Sequence, residues 1–423
     1  MKILLIGSGG REHALGWKLS QSPLVTKIYC APGNPGLAEL GECIDIKASD
    51  NNGLADFALK NRIGLTVVGP DDCLASGVVD VFQRKGLKIF GPTQKSAQIE
   101  SSKAFSKDLM RKAGIPTAGY AVFDDHHKAL DHLKGQKYPL VIKASGLALG
   151  KGVIICQSEE QAKAALHSAM VEKTFGDSGN QVIIEEFLEG QEISIHAFCD
   201  GERAALFPAS QDHKQAFDGD LGPNTGGMGS YAPAGWVTPE MMAEIEKNIV
   251  LPALKALSDI GAPFQGCLFP GLILTSRGFK VLEFNARFGD PETQSYMRLL
   301  VSDLAEILLS CAEGSLKPDQ IKWSDQSAAC IVAASGGYPG TYQKGFEITG
   351  LVKAEEDRSV KVFQAGTAFK DNKLVTAGGR VLGVSAVGTS LKEALEKGYQ
   401  VVSVINFKGM QYRRDIGAKG LKY

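Results

Sequence analysis

No stretch of the 423-residue chain approaches the ~20 consecutive apolar residues that a membrane-spanning helix needs, which excludes a transmembrane helix. Met1-Lys-Ile-Leu-Leu-Ile-Gly7 is too short for the apolar core of a secretory leader, and no small-residue cleavage site follows it, so the expected location is cytoplasmic. An excess of charge of one sign is also missing. Lys plus Arg (46) nearly balances Asp plus Glu (47), a balance that provides no field to gather nucleic acid or an anionic membrane. The eight cysteines, at 30, 43, 73, 156, 199, 267, 311 and 330, show no Cys-x-x-Cys spacing and keep no company with histidines. That argues against zinc and for reduced, mostly buried thiols. Neither an internal repeat nor a low-complexity tract is present.

Two nucleotide fingerprints are absent as well. In Gly7-Ser-Gly9-Gly10-Arg11-Glu12 the third glycine place of G-x-G-x-x-G is taken by Glu12, and no acid ends the second strand near residues 30–32, so NAD is disfavoured. Lys143-Ala-Ser-Gly-Leu-Ala-Leu-Gly-Lys-Gly152 lacks the spacing of a Walker loop.

The composition is that of an ordinary globular protein, and the length predicts roughly two to four domains. Residues 2–6, the glycine turn 7–10, a helical pattern over 11–20 and Lys27-Ile-Tyr-Cys30 make a β-α-β start. With Leu65–Gly69 and Lys88–Gly91 this implies a parallel sheet over residues 1–101. A helix is expected over 101–113, ended by Pro116, and a β-hairpin over 139–156. Strands are expected over 182–187 and 192–198, an amphipathic helix over 241–260, and a second hairpin over 264–285. Residues 211–233 show neither helical nor strand period, and seven of residues 219–233 are Gly or Pro, so a long functional loop is expected there. Residues 326–423 read as a separate mixed α/β unit.

Val281-Leu-Glu283-Phe-Asn285 is the most informative stretch. Strand side chains alternate, so Glu283 and Asn285 project together and offer two hard oxygens. That pair suits Mg²⁺ completed by phosphate oxygens; a polar strand end is the plainer reading. Backbone N–H groups of Gly9 and Gly10 at a helix start make an anion site to which Arg11 adds charge, unless the turn is merely tight. Glycines 146, 150 and 152 with Lys143 and Lys151 either cradle phosphates or simply form a hairpin. Glu185-Glu186-Phe-Leu188-Glu-Gly-Gln-Glu192 breaks between strands, freeing backbone groups that can read an adenine edge, or forms an acidic surface turn. Arg287 and Asp290 follow the metal pair; the arginine fork suits a carboxylate or phosphoryl group, and a surface ion pair is the alternative. His213 is read as a solvated loop histidine before a catalytic base.

In that order the glycine hairpin, acidic strand break and terminal Glu-x-Asn resemble the ATP-grasp superfamily. Gly7–Ala14, Gly222–Gly229, Glu283–Thr293 and Ala334–Gly340 narrow the resemblance, over the whole chain, to the phosphoribosylamine–glycine ligase family. The resemblance implies a Rossmann-like parallel-sheet domain (1–101), an ATP-grasp domain (102–325, with a lid subdomain over about 120–188) and a C-terminal mixed α/β domain (326–423). It places Lys103 and Lys143, with Gly150, Lys151 and Gly152, on ATP phosphates. Glu185, Glu186 through its carbonyl and Leu188 through its N–H belong to adenine recognition, and Glu192 to the ribose. Glu283 and Asn285 hold Mg²⁺ or Mn²⁺. Gly9, Gly10, Arg11, Glu12, Asp212, Asn224 and Thr225 face phosphoribosylamine, and Arg287, Gly289 and Asp290 lie near glycine and the transferred phosphoryl. Arg287, Asp290 and Lys143 are the catalytic candidates.

The implied reaction activates glycine as glycyl phosphate, which the amine of phosphoribosylamine attacks, under a 146–152 lid that excludes water. A monomer or weak homodimer is expected, with only small-molecule partners. Three departures stand out: Ser145 replaces a usual aspartate, Leu149 a usual small residue, and no carboxylate lies near Pro270. The alternatives are a bicarbonate-using ATP-grasp carboxylase, which would not share segments 222–229 and 287–293, a non-catalytic nucleotide sensor, and a dehydrogenase.

Overall fold

The computed structural model describes residues 1–147, 152–354 and 356–423. Its first sheet is five-stranded and parallel, in the order Glu42–Cys43, Lys27–Pro32, Lys2–Gly7, Leu65–Val68, Ile89–Phe90. Ile3, Leu4, Leu5 and Ile6 are all fully buried. Helices on both faces explain why that strand is a continuous apolar run and not an alternating one. Strand order reverses between Lys2–Gly7 and Leu65–Val68, and a crevice opens at their C-terminal ends, where ligands enter such sheets. The glycine turn lies there. Glu12, three residues into helix Gly10–Leu19, accepts from the Gly9 N–H at 2.6 Å and so caps the helix.

Two antiparallel sheets follow. The smaller runs Tyr120–Phe123, Val182–Glu186, Leu140–Ala144, Val153–Cys156, and helices His126–Leu133 and Glu159–Met170 cover its Leu140, Ile142 and Ile184 face. The larger pairs Gln265–Thr275 with Gln191–Ser194, Ala197–Asp200 and, as the expected hairpin, Gly278–Asn285. Helix Lys103–Ala113 lies between them. Its first turn is fixed by Ser102 Oγ, which accepts from Phe105 N at 3.3 Å, and by Ser145 Oγ, which accepts from Ala104 N at 3.1 Å.

Residues 211–233 differ from expectation. They carry four short strands, Gln211–Asp212, Gln215–Phe217, Leu221–Asn224 and Gly229–Ala232. The last, with Gln211–Asp212, joins Ser327–Ala334, Arg380–Gly388 and Val360–Gln364 in one sheet. Gly229–Ala232 is buried throughout, so its side chains show no alternation to read. The 241–260 helix is also interrupted, by a π-helical turn at Glu246–Val250 between Pro239–Ile245 and Leu251–Asp259. All eight cysteines are free thiols, and Cys43 alone is exposed. Among the described residues no helix is long and apolar enough to cross a membrane.

Candidate active site

Three lysines face the cleft between the two antiparallel sheets. Lys103 Nζ donates to the Gly146 carbonyl at 2.9 Å. Lys143 Nζ lies 3.0 Å from Glu185 Oε2 and donates to the Leu282 carbonyl at 3.1 Å. Lys107 Nζ approaches the same Glu185 oxygen at 3.2 Å and donates to Thr117 Oγ1 at 2.7 Å. Burial pulls Lys103 down, against the charge of Glu283, and brings Lys107 down to about 8 despite Glu185. Lys103 and Lys143, two clustered and poorly hydrated ammonium groups, suit a polyphosphate, and Lys107 lies behind them on Glu185 and Thr117. At the far end Glu192 Oε2 pairs with Lys214 Nζ at 3.3 Å, and the Glu192 charge raises Lys214 above its ordinary value. Glu186 turns its carboxylate outward to Lys280 at 2.8 Å and to the Gly119 N–H at 3.1 Å. Its main chain, with that of Leu188, borders the break between strands.

Glu283 and Asn285 alternate in register along Gly278–Asn285 and so share one face. Burial alone would push the Glu283 carboxyl up, but the charges of Lys214, Lys143, Lys103 and Arg287 hold it below the usual carboxylate range. Asn285 Nδ2 donates to the Phe269 carbonyl at 3.3 Å, which turns Oδ1 toward Arg287 Nη2 at 3.1 Å. Two hard oxygens, one of them ionised, fit a cation that draws its other ligands from phosphates and water. Among the described residues no group of three or more His, Cys, Asp or Glu could enclose a metal alone. Arg287 is held by Glu100 Oε1 at 3.3 Å and the Phe288 carbonyl at 3.2 Å, with Nε buried and unpaired. Glu100 in turn accepts from the Ala286 N–H at 2.8 Å, which fixes both ends of this support.

Asp290 is where the three parts of the chain meet. Gln294 donates to its Oδ1 at 2.7 Å and Arg380, from the last sheet, to its Oδ2 at 2.9 Å. Burial would raise its carboxyl, yet the Arg380 and Arg11 charges keep it low. From the first sheet, a Cβ added to Gly9 would stand 3.7 Å from Asp290 Oδ2. Arg11 pairs with Glu12 at 2.6 Å and donates to the Phe288 carbonyl at 3.1 Å, so the glycine turn and the 287–290 segment are joined. A Cβ on Gly289 would overlap Glu292 and His196, so only glycine admits this approach.

Asp212 and Glu292, like Glu100, differ from Glu283 and Asp290 in being raised. Burial and the charge of Glu292 push Asp212 well above its ordinary range, and burial raises Glu292 too, where Ser194 Oγ donates to it at 3.1 Å. Thr225 Oγ1 donates to the Lys214 carbonyl at 2.8 Å, and Asn224 lies in the neighbouring hairpin. His213 is neither solvated nor poised as a base. Its Nδ1 lies 3.1 Å from the Gly229 carbonyl, its Nε2 accepts from the Gly417 N–H at 3.2 Å, and burial brings it down to about 4.

The structure thus gathers Lys103, Lys143, Glu185, Glu192, Glu283, Asn285 and Arg287 along one cleft, and Gly9, Arg11, Gly289 and Asp290 at its end. Gly152 is buried and accepts from the Ala144 N–H at 2.9 Å. Gly150 and Lys151, with most of the expected lid, lie outside the described residues. Sequence reasoning missed Lys107, Lys214, Glu100, Glu292 and Arg380. Lys107 stands one helical turn beyond Lys103, a spacing that could have revealed it. Arg380 has no local signal.

Three consecutive family models match the chain: the N domain of phosphoribosylglycinamide synthetase over residues 1–100, its ATP-grasp (A) domain over 101–293 and its C domain over 328–419. A phosphoribosylamine–glycine ligase of Caldanaerobacter subterraneus is 51% identical over 418 residues, covering 99% of this chain and all of that protein. The crystal structure of the phosphoribosylamine–glycine ligase of Thermotoga maritima superposes with a TM-score of 0.86 at 33% identity, covering 98% of this chain and 100% of that one. The biotin carboxylase domain of Hydrogenobacter thermophilus 2-oxoglutarate carboxylase, solved with magnesium, ADP and bicarbonate, shares the fold alone. Its TM-score is 0.76 at 17% identity, over 97% of this chain and 91% of that one. With its three domain models in order and close relatives matched from end to end, the chain belongs to the phosphoribosylamine–glycine ligase (phosphoribosylglycinamide synthetase) family of ATP-grasp enzymes.

Proposed function

We propose that this enzyme joins glycine to 5-phosphoribosylamine with ATP, giving glycinamide ribonucleotide, ADP and phosphate in de novo purine synthesis. The observation that carries the reading is the meeting at Asp290 of Arg380, Arg11 and the glycine turn, within one chain segment of the Glu283–Asn285 pair. A polyphosphate cleft and a second anion site thereby share one reaction centre.

Lys103 and Lys143, with Gly150, Lys151 and Gly152, take the ATP phosphates. Glu185, the Glu186 carbonyl and the Leu188 N–H take adenine, and Glu192 the ribose. Glu283 and Asn285 hold Mg²⁺, with Mn²⁺ as a substitute; the metal supplies charge neutralisation of the γ-phosphoryl. A carboxylate oxygen of glycine attacks the γ-phosphorus and the bond to the β-bridging oxygen breaks, so ADP leaves and glycyl phosphate forms. Arg287 and the lysines stabilise charge on the equatorial oxygens during this transfer. The amine nitrogen then attacks the glycyl carbon, the carbon–oxygen bond to phosphate breaks, and the nitrogen loses a proton as the amide forms. Gly9, Gly10, Arg11, Glu12, Asp212, Asn224 and Thr225 orient phosphoribosylamine, and Gly289 and Asp290 the glycine.

The domain limits 1–101, 102–325 and 326–423, a monomeric or weakly dimeric state and a cytoplasmic location belong to the same reading. ADP release by purified protein with Mg-ATP, glycine and phosphoribosylamine generated in place is the test. Turnover that needs all three supports the ligase; release indifferent to glycine and the amine sinks it.

A further inference from the structure

One buried carboxylate oxygen serves two lysines. Glu185 Oε2 lies 3.0 Å from Lys143 Nζ and 3.2 Å from Lys107 Nζ, while Glu185 Oε1 is buried with no hydrogen-bond partner. All three side chains are more than nine-tenths buried. The two lysines also grip successive carbonyls of the strand that carries Glu283: Lys143 donates directly to Leu282, and Lys107 reaches Val281 through Thr117, whose Oγ1 donates to that carbonyl at 2.7 Å. Lys143 comes from the sheet that carries the glycine hairpin, Lys107 from the helix beneath it.

The two lysines are not equivalent. Lys143 ends a strand beside the glycine segment, within reach of polyphosphate in the proposed function. Lys107 sits a turn deeper, with Thr117 as its second anchor. Lys143 spends two of its three N–H donors on Glu185 and the Leu282 carbonyl, so a full turn toward the phosphates draws it off Glu185. With Oε1 already unpaired, the loss of both partners would strand a buried charge, which costs far more than the pair itself is worth.

We infer that Lys107 is a positioning residue for the nucleotide: it holds the charge of Glu185 so that Lys143 is free to move to the phosphates when Mg-nucleotide binds. This rests on the proposed role of Lys143 and goes beyond it. The handover makes the cleft ready for ATP without a stranded carboxylate in either state. It also assigns a purpose to a second buried lysine on a carboxylate that one lysine would satisfy.

Calorimetric titration of the full-length protein with MgADP tests this without glycine or the amine. Lys107→Met should weaken MgADP by at least about tenfold, since one partner of a buried pair is removed. Adding Glu185→Gln should remove that penalty, so Lys107→Met with Glu185→Gln should bind within about twofold of Glu185→Gln alone, where independent roles would multiply the losses. In turnover the ATP KM should rise while kcat and the glycine KM stay within about twofold. If Lys107→Met alone does not fold, Lys107→Gln, which keeps a donor toward Glu185 but removes the charge, takes its place in the same cycle. MgADP affinity unchanged by Lys107→Met, multiplied losses in the double variant, or unchanged affinity in Lys143→Met would each overturn the inference. A protein that binds MgADP in this pattern but does not ligate would refute only the proposed substrates.

Discussion

Arg380 holds Asp290 twice: Nη2 donates to the side-chain Oδ2 at 2.9 Å and Nη1 to the main-chain carbonyl at 2.6 Å. The same Nη1 reaches the Gly226 carbonyl at 2.7 Å, so one guanidinium from the C-terminal sheet ties the 222–229 segment to the 287–293 segment. Arg380→Met should therefore lower kcat/KM for phosphoribosylamine by about a hundredfold, because it leaves the buried Asp290 carboxylate without its main cation. The ATP KM should hardly change, as Lys103 and Lys143, the proposed phosphate ligands, lie elsewhere. Arg380→Lys should not restore activity, since a single ammonium cannot span both segments. Steady-state kinetics with each substrate varied in turn checks all three statements.

Glu283 is the ionised member of the proposed metal pair, and the charges of Lys214, Lys143, Lys103 and Arg287 face it. Glu283→Gln keeps the shape and removes the charge. It should raise the Mg²⁺ concentration needed for half-maximal ADP release and lower the saturated rate by about a hundredfold or more. A chelator should abolish turnover of the unaltered enzyme, and Mg²⁺ should restore it. Activity that survives exhaustive chelation would remove the metal from the reading.

Much of this arrangement was legible because it is local. Glu283 and Asn285 share a face by strand alternation, and the glycine turn, hairpin and acidic break each sit between recognisable strands. What escaped was long-range. Arg380 meets Asp290 across 90 positions, and Gly229–Ala232 is a strand between Gln211–Asp212 and the distant Ser327–Ala334. His213 reads as a loop residue because the segment around it lacks periodicity, yet its ring is held on both sides, by the Gly229 carbonyl and the Gly417 N–H. Ser145, a departure from the family pattern, turns out to accept from the first turn of the helix that bears Lys103. An oxygen acceptor is what that position requires, and a hydroxyl supplies it as a carboxylate would.

Three buried histidines, His13, His196 and His213, set the acid limit of stability, and burial lowers all three, His196 well below its ordinary value. His13 Nδ1 accepts from the Gln364 N–H at 2.8 Å, joining the first helix to the C-terminal sheet, and burial brings it down to about 3. His213 is brought down to about 4. All three folded values lie below the unfolded 6.5, so the unfolded chain binds more protons as pH falls beneath 6.5. Stability is full above that pH and is lost progressively from 6.5 toward 3. The melting temperature should be level from pH 8 to 7 and fall below pH 6, and His13→Gln should flatten that fall while lowering the melting temperature at pH 8. A pH-independent melting temperature down to pH 4 would contradict this account.

Gly227 occupies backbone that other residues avoid, with φ of +110°, and an added Cβ would stand 2.5 Å from Pro291 Cδ and 2.7 Å from Asp212 Oδ1. Neither neighbour can yield easily: proline is a ring in the 287–293 segment, and Asp212 is fixed by the His213 N–H at 2.7 Å. Gly227→Ala should thus cost at least about 2 kcal/mol of stability through strain and overlap together. It should also depress turnover more than stability predicts, because both displaced groups border the reaction centre. Gly235→Ala is the control. A Cβ there meets nothing within 4 Å and its φ is not in the left-handed region, so stability should change by less than about 0.5 kcal/mol. Denaturant unfolding of the two variants side by side, with ADP release measured on the same preparations, separates the strain from its effect on the site. Equal stabilities would mean that the 222–229 segment can move away from Asp212 and Pro291 at little cost.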